Sequence, residues 1–153
     1  MNRVFFTAVF LMLLSTPSAF AQTEATVNVV IDSIAQSVGK AHVAVFNGKE
    51  NYNNSVPFKT AVKNISDNRA TVSFKLPVNN YYAIALFQDL NGNDSLDYRG
   101  SMKIPVEPFG FSNNKTGTFG PPAYKKISFL VTSDTTLIID IIIGEKNFLM
   151  KNH

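Results

Sequence analysis

Residues 81–97 read YYAIALFQDLNGNDSLD, and this stretch has two parts of opposite character. Its first part, residues 81–88, carries aromatic and apolar side chains on both faces of an extended chain, which is typical of a central strand. Its second part is polar and carries an oxygen-bearing side chain at every second position. The change at Asp89 therefore predicts a central strand that runs directly into a polar loop.

Segments on both sides of this strand alternate apolar and polar residues, as half-buried strands do. Residues 25–34 place Val27, Val29 and Ile31 on one face, and residues 69–76 place Ala70, Val72, Phe74 and Leu76 on one face. Further strands are predicted at residues 41–46, 58–65, 124–132 and 135–143. Turns are predicted at residues 38–40, at Asn47-Gly48, at Asp67-Asn68 and at Asn79-Asn80. No convincing amphipathic helix is predicted between these strands.

About seven strands joined by short polar turns predict an all-β fold. We expect an antiparallel Greek-key β-sandwich of the immunoglobulin or transthyretin kind, and an up-and-down barrel is the alternative. Residues 22–143 would form this single domain. Residues 89–123 would form one long structured loop, and residues 144–153 would form a C-terminal tail.

Residues 1–21 have the features of a signal peptide. Arg3 supplies the positive start, residues 4–14 are apolar apart from one Thr, and Ala19-Phe20-Ala21 fits the small-x-small cleavage rule. The apolar run is shorter than the roughly 20 residues of a membrane-spanning helix, although an uncleaved anchor is the alternative. We therefore expect an exported protein, periplasmic or secreted, with no membrane span after cleavage.

Composition excludes several classes of function. The chain has no Cys, which excludes disulfides, thiol catalysis, thiolate zinc sites and iron–sulfur clusters. Its net charge of +3 comes from scattered Lys and Arg rather than from a basic stripe, so we expect no nucleic-acid partner. No nucleophile elbow, phosphate loop or dinucleotide fingerprint occurs, and we expect a protein that is not an enzyme. His42 has no other His near it in sequence, so we expect an ordinary strand residue.

The polar stretch has the spacing of a calcium-binding loop. Ca²⁺ loops of the EF-hand type place ligands at positions 1, 3, 5, 7 and 9, which here are Asp89, Asn91, Asn93, Ser95 (through its carbonyl) and Asp97. Asp94 stands where a Gly is expected, and Gly100 stands where a bidentate Glu is expected. Glu107 could supply the missing carboxylate. The loop therefore predicts a Ca²⁺ site with a dissociation constant of about 10⁻⁴ to 10⁻³ M, and a polar turn held by Asx hydrogen bonds is the alternative.

The segment after the polar stretch, residues 104–114, contains Pro, Gly, several polar residues and two aromatic rings. Phe109 and Phe111 either cap one end of the domain or form a binding surface together with Ser112, Asn113 and Asn114. The partner of such a surface would be a protein, a glycan or a small hydrophobic ligand in the cell envelope. Asp89, Asp97 and Glu107 can also be considered as the source of a glycosidase carboxylate pair, but no second catalytic wall or substrate cleft is indicated.

Three segments, taken in order, resemble a known family: residues 82–97, residues 105–114 and residues 120–124. The sequence resembles the uncharacterised bacterial exported family catalogued as domain of unknown function 2141, over roughly residues 27–143. The resemblance implies an extracytoplasmic β-sandwich and no known activity. Asp94 stands where the family tends to have Gly. Gln88 stands where a His often precedes the Asp, which weighs against a His-assisted metal site at this position.

These observations together predict an exported, non-enzymatic binding or structural module whose long loop is ordered by Ca²⁺. A carrier of a small hydrophobic ligand is one alternative, and a hydrolase of envelope glycans is the other.

Overall fold

The computed structural model describes residues 23–118 and 120–143, and it builds them mostly from β-strands. The elements in chain order are β1 (Glu24–Asp32), β2 (Lys40–Asn47), α1 (Lys49–Asn53), β3 (Lys59–Asn64), β4 (Ala70–Pro77), β5 (Asn80–Asp89), β6 (Tyr98–Arg99), β7 (Ile104–Pro105), β8 (Pro108–Phe111), a 3₁₀ helix (Ser112–Asn114), α2 (Tyr124–Ile127), β9 (Phe129–Val131), β10 (Thr135–Asp140) and β11 (Ile142–Ile143). The predicted signal peptide and the predicted tail after residue 143 lie outside the described residues. Within the described ranges, no helix has the length and apolar character needed to cross a bilayer.

The strands form two open sheets and one short two-stranded pair. The larger sheet has the order β11-β8-β5-β2-β3, with β9 also paired to β5, and the smaller sheet has the order β10-β1-β4. Strands β6 and β7 form the two-stranded pair. Because β5 pairs with β2 along one edge and with β8 and β9 along the other, it is the central strand that residues 81–88 predicted.

The two sheets share one apolar core. Val27, Val29 and Ile31 of β1 are buried, as the alternation predicted, and one cluster of buried side chains joins them to residues of β2, β4 and β5. The four alternate residues of β4, from Ala70 to Leu76, are also buried. Each fully buried Val, Ile or Leu contributes about 1.5–3 kcal/mol of transfer free energy. The all-β prediction is therefore confirmed.

The expectation of wholly antiparallel pairing is wrong at one place. Strands β1 and β10 pair in parallel, with Val27 opposite Thr135 and Asp32 opposite Asp140. The chain leaves β9 in the larger sheet and crosses to the smaller one before β10 begins. Because the two strands are not joined by a hairpin, nothing in their connection forces β10 to run against β1.

Two short helices replace segments that were predicted to be loop or strand. Residues 49–53 form α1 in the connection between the predicted strands 41–46 and 58–65, and the first part of the predicted strand 124–132 forms α2 instead. The hydroxyl of Tyr124 donates to the carbonyl of Tyr81 at 2.9 Å and accepts from the N–H of Gly48 at 3.1 Å. These bonds hold Tyr124 against the start of β5, and the chain joins the sheet after α2, at Phe129–Val131.

Gly39 lies where the chain enters β2, against the last residue of β5. Its φ of +73° is in the left-handed region, and a Cβ at this position would overlap the carbonyl oxygen of Asp89. The fold therefore needs glycine here for two independent reasons. The backbone angle is one that other residues rarely adopt, and the two strands approach too closely for a Cβ.

We expect Gly39→Ala to destabilise the protein more than Gly100→Ala does. Gly100 has a similar φ of +70° but open space around its Cα, so its replacement costs only the left-handed backbone penalty of roughly 1–2 kcal/mol. The overlap at Gly39 should add about 1–3 kcal/mol, as overpacking does in protein cores. Urea unfolding of the two variants measures the difference. Equal losses of unfolding free energy would show that Gly39 lies farther from the carbonyl of Asp89 than described.

Candidate metal centre

The polar loop begins at the end of β5 and lies beside the start of β2. In the antiparallel register of these strands, Asp89 is opposite Lys40 and Phe87 is opposite His42. The ring of His42 stacks on that of Phe87, with centroids 4.8 Å apart and planes at 13°. The pairing therefore brings two basic side chains of β2 next to the residue at which the loop starts.

Asp89 is fully buried, and its carboxylate organises the loop. Its Oδ1 accepts a hydrogen bond from the N–H of Gly92 at 2.7 Å, and its Oδ2 accepts one from the N–H of Asp94 at 3.0 Å. Burial alone would raise the pKa of Asp89. Hydrogen bonds from the backbone of Asp94, Gly92 and Asn93, with the nearby His42, outweigh burial and hold this pKa below its usual value. The carboxylate is therefore held in its ionised form.

Glu107 closes the loop from the other side, as a second buried carboxylate. Only 3% of Glu107 is exposed. Its Oε1 accepts from the N–H of Leu90 at 2.8 Å, and its Oε2 accepts from the N–H of Asp97 at 3.1 Å. The structure thus brings Glu107 to the loop, as the calcium hypothesis requires, and uses both of its oxygens as acceptors for backbone groups.

The remaining predicted ligands form a hydrogen-bonded network. The carboxylate of Asp97 accepts from the side-chain amides of Asn91 at 2.6 Å and Asn93 at 3.1 Å. The side-chain oxygen of Asn91 accepts from the N–H of Asn93, and that of Asn93 accepts from the N–H of Ser95. These are Asx turns, which the alternative interpretation of a polar turn also contains. All six predicted ligand residues nevertheless lie in one loop.

Two further residues of the site were not predicted, His42 and Asp94. The Nε2 atom of His42 lies 3.5 Å from Oδ2 of Asp89 and 3.5 Å from Oδ1 of Asp94. Asp94 has a φ of +59°, so it adopts the left-handed conformation for which the loop pattern expects Gly. Gln88 does not approach the carboxylate, because its side-chain amide donates to the carbonyls of Gln36 and Val38. The histidine beside Asp89 comes from the neighbouring strand instead.

The predicted binding surface after the loop is largely tied into the fold. Phe109 and Phe111 are half-buried and make an edge contact with centroids 5.9 Å apart. Ser112 is buried and bonds the backbone of β5 and α2, while Asn113 donates to carbonyls of residues 126 and 128. Asn114 exchanges two hydrogen bonds with Asp140. The polar residues of this segment therefore position β8 and its neighbours.

A small cavity of about 170 Å³ lies beside this segment. Its lining comes from β8, the residues after it, β10 and β11: Gly110, Phe111, Asn114, Lys115, Thr116, Asp140 and Ile142. Pockets that enclose small-molecule ligands begin at about 300 Å³. The cavity is therefore suited to water or a short chemical group rather than to a whole hydrophobic ligand.

Comparison with known proteins identifies a family but no function. Residues 29–139 match the family model described as "Uncharacterized protein conserved in bacteria (DUF2141)". No curated protein matches the chain, and no solved structure matches it. The matched range includes β2, β5 and the whole loop, so His42 and the predicted ligands from Asp89 to Glu107 all lie inside it.

We expect Glu107→Gln to destabilise the protein by about 1–3 kcal/mol, the cost of leaving a buried group without its hydrogen bond. Glutamine has one carbonyl oxygen, so either the N–H of Leu90 or that of Asp97 would face an NH₂ group. Glu50→Gln is the matched control, because Glu50 is exposed in α1 at the other end of β2. Urea unfolding at neutral pH measures both, and a similar small effect for the two variants would contradict the role given to Glu107.

The lowered pKa of Asp89 predicts a pH dependence of stability. Because the folded-state pKa lies below the unfolded-state value, ionised Asp89 contributes stability above about pH 4 that is lost as the pH falls through the folded-state pKa. Asp89→Asn removes this contribution. The variant should therefore have a lower free energy of unfolding than the wild type at pH 7. The difference between the two free energies should become smaller below about pH 4. Denaturant unfolding of both proteins between pH 7 and a pH below about 4 tests the prediction. A stability difference that does not change with pH would contradict it.

Proposed function

We propose that this chain, which belongs to the DUF2141 family, is an exported, non-enzymatic binding or structural module with a loop ordered by Ca²⁺. The observation that carries the proposal is the pair of buried carboxylates, Asp89 and Glu107, which support one loop from opposite sides. The predicted signal peptide supports export to the periplasm or the outside of the cell. A protein or glycan of the cell envelope is the partner we propose.

The charge of the loop supports a cation as its natural counterpart. Residues 89–107 contain four carboxylates, those of Asp89, Asp94, Asp97 and Glu107, and two basic side chains, those of Arg99 and Lys103, so the acidic groups are in excess. Like charges so close together repel one another, and backbone N–H groups offset this repulsion only in part. A divalent cation with oxygen ligands would offset it further, and Ca²⁺ accepts six to eight oxygens in flexible arrangements. The side chains of Asp89, Asn91, Asn93, Asp97 and Glu107, with the carbonyl of Ser95, are the ligands we propose.

The finer architecture is also a proposal. Two open sheets that share one core are compatible with a Greek-key β-sandwich of the immunoglobulin or transthyretin kind. Sandwiches of this kind serve many unrelated functions, so the proposed role rests on the loop and not on the architecture.

The two alternative functions receive less support from the geometry. A glycosidase needs two carboxyl groups that reach the substrate, whereas Asp89 and Glu107 are buried and bonded to backbone N–H groups. A carrier of a small hydrophobic ligand would need more volume than the cavity beside Phe111 provides. We therefore retain the binding or structural module as the proposal.

Calcium should stabilise the protein modestly. At about 1 mM Ca²⁺, a site with a dissociation constant of 10⁻⁴ to 10⁻³ M adds about 0.4–1.4 kcal/mol, which corresponds to a rise in Tm of roughly 1–6 °C for a domain of this size. Asp97→Asn should abolish this rise, because it removes a ligand charge and leaves a side chain of the same size. Thermal melts followed by circular dichroism, with and without Ca²⁺, measure the effect.

Two controls make this experiment decisive. Glu50→Gln removes one negative charge at the far end of β2 and should leave the calcium response intact. Mg²⁺ at the same concentration should raise the Tm less, because it requires a more regular octahedral set of ligands. A melt that does not change with millimolar Ca²⁺, or an equal response in Asp97→Asn, would overturn the calcium proposal.

A further inference from the structure

A second set of possible metal ligands lies on the sheet side of Asp89. One ligand atom from each of His42, Asp89 and Asp94 can be chosen so that all three lie within 4.8 Å of one another. His42 comes from β2, Asp89 ends β5, and Asp94 is in the loop. This set contains a nitrogen donor and excludes Asn91, Asn93 and Asp97, so its chemistry differs from that of the calcium loop.

The imidazole nitrogen of His42 makes only long contacts with its two acidic neighbours. This Nε2 atom is buried and has no hydrogen-bond partner among the described residues, although 16% of the side chain as a whole is exposed. Buried polar atoms in native proteins are nearly always bonded. Stacking on Phe87 holds the ring in place, and the two nearest acidic oxygens are both 3.5 Å from Nε2.

The two distances from Nε2 match those between the ligands of a small divalent ion, and the two carboxylate oxygens lie within 4.8 Å of each other. Two ligands about 2.1 Å from a tetrahedral ion lie roughly 3.4 Å apart, close to the separation of Nε2 from each carboxylate oxygen. Imidazole with carboxylates suits Zn²⁺ and its neighbours in the first transition row, whereas Ca²⁺ takes oxygen ligands. The side chain of Asp94 is 69% exposed, so an ion held here would be reachable from solvent.

We propose that His42, Asp89 and Asp94 bind a divalent transition-metal ion of the zinc class. The site shares Asp89 with the proposed calcium loop, but it does not require that Ca²⁺ binds. A direct contact between His42 and Asp89, without a metal ion, is the competing arrangement. Lys40 also competes, since its Nζ lies 3.9 Å from Oδ1 of Asp94, but its side chain is 46% exposed and can turn into solvent.

The test is isothermal titration of the exported form of the protein, without a histidine tag, with ZnCl₂. We expect one saturable Zn²⁺ site, and we expect His42→Gln to weaken it by at least about tenfold, the lower limit for loss of even an outer-shell partner. Asp94→Asn should weaken it as well, and because this side chain is exposed the variant should fold. His153→Gln removes the other histidine of the chain and should leave the affinity unchanged.

Electron paramagnetic resonance with Cu²⁺ provides a readout of the ligand itself. The wild type and His153→Gln should show coupling to one imidazole nitrogen, and His42→Gln should show none. Circular dichroism melts of each variant show whether it is folded. If His42→Gln does not fold, Asp94→Asn decides the question, since the competing arrangement without a metal ion predicts no Zn²⁺ binding in any variant.

The outcomes separate this proposal from the calcium proposal. Asp97→Asn should lose the calcium response and keep Zn²⁺ binding, while His42→Gln should lose Zn²⁺ binding and keep the calcium response. Absence of saturable Zn²⁺ binding by the wild type would overturn the zinc-class site and leave the calcium loop unaffected. Unchanged affinity in both His42→Gln and Asp94→Asn, or loss of affinity in His153→Gln, would also overturn it.

Discussion

The structure of the loop depends on the buried carboxylate of Asp89. An ionised group away from water is strongly unfavourable unless hydrogen bonds replace its hydration. Here the N–H groups of Gly92 and Asp94 replace it, and they can do so only if residues 90–94 turn back over the end of β5. The conformation of the loop and the charge at the end of the sheet therefore require each other.

Glu107 is a second buried carboxylate that accepts backbone hydrogen bonds, in the connection between β5 and α2. Its two oxygens accept from Leu90 and Asp97, so backbone donors at both ends of the loop are satisfied by one side chain. Strand β8 begins at the next residue, Pro108, and pairs with β5 through residues 109–111. Glu107 therefore links the loop at the end of β5 to the strand that pairs with β5.

The parts of the fold that the sequence predicted are those governed by local alternation. Strands β1 and β4 each bury one face, so their period of two is visible in Val27, Val29 and Phe74. Strand β5 was identified as central because it is apolar on both faces. The helix α2 and the parallel register of β10 could not be predicted, because they depend on the Tyr124 hydroxyl and on a crossover between sheets. Such long-range contacts leave no periodic signal.

The same distinction explains which residues of the site were found. The spacing of oxygens from Asp89 to Asp97 is local and could be recognised, whereas the position of His42 depends on the register between β2 and β5. Asp94 was noticed only as a departure from Gly. A glycine at that position would supply the N–H that Asp89 needs, but the left-handed aspartate supplies the N–H and also places a carboxylate 3.5 Å from His42. The carboxylate of Asp94 therefore gives His42 a contact inside the loop, in addition to its contact with Asp89 at the end of β5.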